Sequence, residues 1–270
     1  MHPAGTHCIM LQGVAPLRRE PAHAAEMTTE LLFGERVTVL QAQEGWRHIR
    51  SHEDGYEGWL PATMLAALPD PAWLTFEPHY VQPLVAAVRV SGADNYAADV
   101  PVTRAARFYN DPALATDFEY AFAVEGLTYR MPKALVAPPH QADVNALLLH
   151  AQEYLHAPYR WGGKTVLGID CSGLVQTAFA LYGILAPRDA WQQATFGTAV
   201  SFAERGPGHL AFFANDAGRV THVGLLLAHN RILHAAGSGR VRIDNMTEAG
   251  IALPDGKTLT HHLQGLRAFV

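Results

Sequence analysis

The sequence predicts an α+β protein: a β-rich first half, then a domain that joins buried helices to apolar strands. Three observations carry this. Between residues 12 and 66, short runs of alternating apolar and polar residues are separated by turns, the pattern of a small antiparallel barrel. Proline-rich breaks fall at Pro69-Asp70-Pro71 and at Ala137-Pro138-Pro139. Beyond the second break, residues 141–156 carry helical spacing, and apolar strand-like runs follow near residues 221 and 231. The chain therefore divides into 1–70, 71–137 and 138–270.

In order along the chain, Glu35–Leu40, Gly45–Arg50 and Gly55–Leu60 read as strands of the first barrel. The region 75–137 is also β, with strand candidates at Tyr80-Val81, Leu84–Val90, Val100–Val102 and Tyr120–Val124. Val144, Leu147, Leu148, Ala151 and Leu155 line one face of the expected helix, which Pro158 ends. Thr221–Leu227 and Arg231–Ala236 read as neighbouring antiparallel strands, with Asn230 in the turn between them.

Composition narrows the function classes. A net charge of −5 and the lack of a basic, aromatic-interleaved patch argue against nucleic acid as a partner. Cys8 and Cys171 are the two cysteines, so no disulfide framework is expected. No stretch reaches transmembrane length, so no membrane partner is expected. Met1 to Glu20 lacks a continuous apolar run, which leads to the expectation of a cytoplasmic protein. Oligomeric state is not written in the pattern.

The chemistry concentrates at residues 159–175. Cys171 follows Asp170, a natural N-cap, and opens an apolar helical run. A thiol at a helix start meets unsatisfied N–H groups and the positive end of the dipole, which favour thiolate. A cysteine nucleophile needs a base and the base an orienter. His222 at the start of one strand and His234 on the next can supply both, His222 taking the thiol proton and His234 fixing its ring. No paired cysteine or His-x-x-x-His spacing accompanies Cys171, so neither metal nor cofactor is expected. The adjacent His261-His262 pair reads as surface.

Tyr159-Arg160-Trp161-Gly162-Gly163, Asp170-Cys171-Ser172-Gly173-Leu174-Val175, Thr221-His222-Val223-Gly224 and His234-Ala235 together resemble the NlpC-type cell-wall peptidases, which have a papain-like fold. The resemblance covers roughly residues 138–270. It implies a Cys171–His222–His234 triad, with the Tyr159 hydroxyl near the nucleophile. The Cys171 backbone N–H is the second expected oxyanion donor. One departure is Gly208-His209-Leu210, where the family usually has Gly-Asp-Leu; it leaves the triad in place and bears on the local turn. Upstream, Leu31-Leu32-Phe33-Gly34-Glu35, Glu44-Gly45-Trp46 and Gly55-Tyr56-Glu57-Gly58-Trp59 resemble bacterial SH3-like domains, and 71–137 is expected to be a second such barrel.

Two SH3-like barrels ahead of an NlpC-type domain are similar to the γ-D-glutamyl-L-diamino-acid endopeptidases of murein peptide recycling. The resemblance implies a murein peptide partner with a free L-Ala amine, cut between D-Glu and L-Lys or diaminopimelate. In that subgroup the first barrel closes one end of the cleft. Tyr56, Asp170, Ser172 and Asp189, with Glu30, are then the substrate-binding residues. Ala190 stands where the subgroup often has Ser after Arg-Asp. Read from the residues alone, Asp170 equally serves as a helix cap, and Tyr56 as barrel core. A hydrolase of intact wall, a wall-peptide binding module without catalysis, and an acyltransferase or amidase on the same fold are the alternatives.

Overall fold

A computed structural model of the chain describes residues 2–68, 70–93, 96–237, 239–253 and 258–269. Pro69, part of the first proline break, lies outside them. The chain forms two compact units, Met1–Pro139 and His140–Val270.

In the first unit, a seven-stranded antiparallel sheet runs in the order Met27–Leu32, Val14–Arg18, Glu57–Pro61, Trp46–Ser51, Arg36–Gln43, His7–Met10, Leu65–Ala67. Alternate residues turn inward to a core of Met10, Leu17, Val37, Val39, Ile49 and Leu60. Cys8 belongs to this core, where burial pushes its thiol up to about 12 and makes it inert. The following stretch builds a four-stranded sheet in the order Ala97–Thr103, Val85–Ser91, Leu127–Pro132, Glu119–Val124. Three short strands, Arg107–Phe108, His79–Val81 and Val136–Ala137, form another. The two stretches share an interior. Phe33 stacks on Phe108 at 6.4 Å between ring centres, and the Tyr109 hydroxyl donates to the Gly34 carbonyl at 2.9 Å.

The second unit opens with helix α1, Val144–Gln152, capped by Asp143, whose carboxylate accepts from the Asn145 and Ala146 N–H groups. The helix is shorter than the 141–156 expected from spacing. The cap fixes its start, and the chain past Gln152 unwinds into turns that put His156 at φ +71°. A two-stranded hairpin, Lys164–Thr165 with Gly168–Ile169, leads into helix α2, Cys171–Ala180, every residue of which is buried. A short helix α3, Ala190–Gln193, follows.

The remaining strands form one antiparallel sheet in the order Thr198–Val200, Leu259–Ala268, Leu210–Ala214, Val220–Leu227, Arg231–Ala235, Val241–Met246, Gly250–Ala252. Gly250–Ala252 also pairs with Leu259–Ala268, so six of these strands close on themselves. The turn between the two histidine-bearing strands places His229 and Asn230 at φ +58° and +54°, the geometry that suits the twist of a tight hairpin. The turn at Gly208-His209-Leu210 forms without the usual Asp, because the His209 ring nitrogen Nδ1 accepts from the Gly206 N–H at 3.1 Å.

Two glycines permit close approach at the cysteine and the histidines. A Cβ on Gly224 would stand 2.6 Å from Ile232 and 3.1 Å from the His234 Cβ. A Cβ on Gly173 would stand 2.2 Å from the Gly163 carbonyl oxygen and 3.1 Å from the Asp170 carboxylate. The second clash is with backbone, which cannot swing aside. Gly173→Ala should therefore lower unfolding free energy by ~1–3 kcal/mol, measured by urea titration. A variant as stable as the parent would mean that the Gly163 loop yields and does not fix the helix start.

Candidate active site

The N-terminus of α2 is built around the Asp170 carboxylate. Its Oδ1 accepts from the Gly173 N–H at 2.7 Å, as a helix cap does. Its Oδ2 accepts from the Gly162 N–H at 2.8 Å, which ties the Tyr-Arg-Trp-Gly-Gly loop to the helix. Arg188 grips both oxygens, at 3.1 and 2.7 Å, and Arg188 is itself buried. The Ser172 hydroxyl donates to Asp170 at 3.3 Å and accepts from Arg188 at 2.7 Å. Asp170 and Ser172 are thus committed to a structural network, with five donors converging on one carboxylate.

Cys171 sits at the first helical position, 6% exposed. Burial pushes its thiol up to about 12, and the Asp170 charge adds to the rise. Hydrogen bonds from the Val223 and Ser172 N–H groups, and the Arg188 charge, pull the other way. Desolvation wins over the helix start, so the resting sulfur holds its proton and needs a base to lose it. The Val223 contact sets the sulfur against the strand segment that carries His222.

His222 is nearly buried, and its Nε2 lies 2.8 Å from Nδ1 of His234, which has no exposure at all. Burial holds the His222 ring well below its usual pKa, with His234 and His261 contributing. His222 is consequently neutral at neutral pH and able to accept a proton. Tyr159 is half-buried, and burial raises its hydroxyl, with the nearby Cys171 and Asp170 adding to the rise. The phenol keeps its proton and can donate it as a hydrogen bond.

Two residues that sequence reading did not single out belong to this cluster. The His261 ring stacks on His222, with centres 4.3 Å apart and planes 27° apart. The expectation that His261-His262 lies on the surface holds for His262, which is exposed, while His261 is half-buried. The alternation of Leu259, His261 and Leu263 is the signal that puts His261 on the inward face. The Asp244 carboxylate accepts from Nε2 of His234 at 3.0 Å and from Arg242 at 2.6 Å.

Of the other expected substrate-binding residues, Asp189 is in the second unit and follows Arg188 directly. Asp189 is half-buried at the start of α3. One of its oxygens accepts from the Trp191 indole N–H at 3.2 Å, and burial raises its carboxyl despite the Arg188 charge. Glu30 and Tyr56 are in the first unit. Glu30 is buried in the Met27–Leu32 strand, and Tyr56 is half-buried against the barrel core.

Residues 156–254 match the NlpC/P60 family, and residues 17–65 match the bacterial dipeptidyl-peptidase Sh3 domain. This is an NlpC/P60 cysteine peptidase domain. The chain that carries it is 27% identical over 234 residues to a gamma-D-glutamyl-L-lysine dipeptidyl-peptidase of Bacillus cereus, covering 79% of this chain and 68% of that protein. Over 92 residues it is 41% identical to the murein DD-endopeptidase MepS/murein LD-carboxypeptidase of Escherichia coli K12, covering 33% of this chain and 48% of that one. The crystal structure of an NlpC/P60 family protein from Bacillus cereus superposes with a TM-score of 0.84 at 21% identity, covering 98% of this chain and 99% of that one, a likeness of fold.

The His261 stack has a readable consequence in the NlpC/P60 domain. Removing the ring admits water to His222 and takes away a neighbouring positive charge at acid pH, and both changes raise the His222 pKa. In His261→Ala the acid limb of the kcat/KM profile should therefore move to higher pH. An unmoved limb would mean that the stack does not govern His222.

Proposed function

We propose that this chain is a γ-D-glutamyl-L-diamino-acid endopeptidase. It acts on short murein peptides with a free N-terminal L-Ala, and its role is the recycling of cell-wall peptides. The observation that carries the reading is the similarity to the Bacillus cereus dipeptidyl-peptidase, which extends over 79% of this chain and so through both units. The buried thiol, hydrogen-bonded by the N–H of Val223 next to a neutral His222, supports the chemistry.

In this reading His222 takes the Cys171 proton, and the sulfur attacks the γ-carbonyl carbon of D-Glu. The Cys171 N–H and the Tyr159 hydroxyl donate to the oxyanion that forms. The His222 imidazolium gives its proton to the leaving amine of the diamino acid as the C–N bond breaks. Water, losing a proton to His222, then attacks the thioester. L-Ala-D-Glu leaves with a free γ-carboxylate, and the thiol recovers its proton.

In this reading Asp189 is the carboxylate that receives the substrate ammonium. Burial disfavours its charge, and a cation arriving beside it would restore what desolvation removes. Asp170 already meets five donors, so its part is to hold the cysteine end.

The test is cleavage of L-Ala-γ-D-Glu-L-Lys, its diaminopimelate counterpart and their N-acetylated twins, followed by mass spectrometry. The free-amine peptides should be cut and the acetylated ones spared. Cys171→Ala should abolish cleavage, and Asp189→Asn should lower kcat/KM by ~10- to 100-fold, the value of a hydrogen bond to a charged group. Equal cutting of both twins would instead favour a hydrolase of intact wall and remove the role given to Asp189.

A further inference from the structure

The hydrogen bonds beyond the two histidines impose a direction on their protons. An ionised carboxylate only accepts, so the 3.0 Å contact between Asp244 Oδ2 and His234 Nε2 puts the His234 proton on Nε2. A neutral imidazole has one N–H, which leaves His234 Nδ1 as an acceptor. That nitrogen is 2.8 Å from His222 Nε2, which must then be the donor. The His222 proton is consumed in that bond, and its Nδ1 keeps a lone pair.

We propose that Asp244 is a positioning residue that fixes the ring tautomers of His234 and, through it, of His222, so that His222 Nδ1 is the nitrogen that can take the thiol proton. Arg242 holds the carboxylate in place, its Nε and Nη2 each 2.6 Å from the same Asp244 oxygen. Burial opposes the Asp244 charge, but the hydrogen bonds from His234 and Arg242 prevail and hold it below the usual carboxylate range. His234 is fully buried, so water cannot replace a missing acceptor at its Nε2. Without Asp244 the His234 proton is free to move to Nδ1. It would then face the His222 Nε2–H and drive that proton to Nδ1, the position that must stay open. His261, stacked on His222, offers no second acceptor chain, because its ring lies over the face of His222 and not at its edge.

The inference rests on His222 acting as the base, so the test has one arm that needs no turnover. The full chain with 15N-labelled histidine gives ring tautomers from long-range 1H–15N spectra at pH 7.5, assigned by substitution of His222 and His234. Both rings should carry the proton on Nε2. Asp244→Asn should give a mixture at His234, reduce kcat by ~10- to 100-fold, as loss of a partner that orients a histidine does, and leave KM within about twofold. Asp244→Glu should recover the tautomer and part of kcat. An Nδ1–H form of His234 in the native chain, or an Asn variant with native kcat and native ring shifts, overturns the proposal. If the Asn variant does not fold, the native spectrum and the Glu variant decide. If the native chain cuts none of the peptides, the peptidase reading fails, while the ring spectra and the rate of Cys171 alkylation by iodoacetamide, slower in the Asn variant, still decide the role of Asp244.

Discussion

A buried ion pair, Arg188 with Asp170, is the constraint on which the cysteine end of the second unit depends. The side chains are 1% and 6% exposed, and both carboxylate oxygens face the guanidinium. Three separate segments meet there: the Gly162 loop, the first turn of α2 and the approach to α3. Opening such a pair by removing one partner leaves a buried charge and costs about 3–5 kcal/mol. Much of what would look like catalytic geometry at Cys171 is therefore set by a structural contact beside it. The same contact explains why Asp170 and Ser172, adjacent to the nucleophile in sequence, are held in one fixed arrangement.

Electrostatics in the cluster follow from its dryness. Burial keeps the thiol protonated and the imidazole neutral, so the resting pair carries no net separation of charge. Charge is created only when the proton moves, and the surrounding dipoles are already oriented for it: the Val223 and Ser172 N–H groups toward sulfur, and His234 with Asp244 behind the imidazole. Arg188 and Arg242 stand at opposite ends of this line, each bound to a carboxylate.

The sequence made some of this legible and concealed the rest for identifiable reasons. Cys171, His222 and His234 could be read because each sits at a local signal: a helix start for Cys171, the early part of an apolar strand for His222, and the neighbouring apolar strand for His234. The strands at residues 36–43, 46–51 and 57–61 could be read from alternation alone. Asp244 and His261 could not be placed at the site, because their positions follow from sheet register. Asp244 reaches His234 through the pairing of Val241–Met246 with Arg231–Ala235, and His261 arrives through the pairing that carries a bulge between Phe212 and Phe213. In sequence Arg188 adjoins Asp189. Its partner is Asp170, 18 residues away, a pairing that only the burial of both groups reveals. The preference for thiolate at the helix start failed for a related reason: spacing reports the dipole but not the desolvation.

The closed circuit of six strands gives the cluster a collective character. His222, His234, Asp244 and His261 come from four different strands of one ring of hydrogen bonds. Such a ring offers no free edge from which to fray, so its strands open together or not at all. Catalytic competence should accordingly behave as a cooperative property of the barrel. Amide-exchange protection at these four positions would share one opening free energy, and partial loosening would remove the whole proton path at once instead of weakening it by degrees.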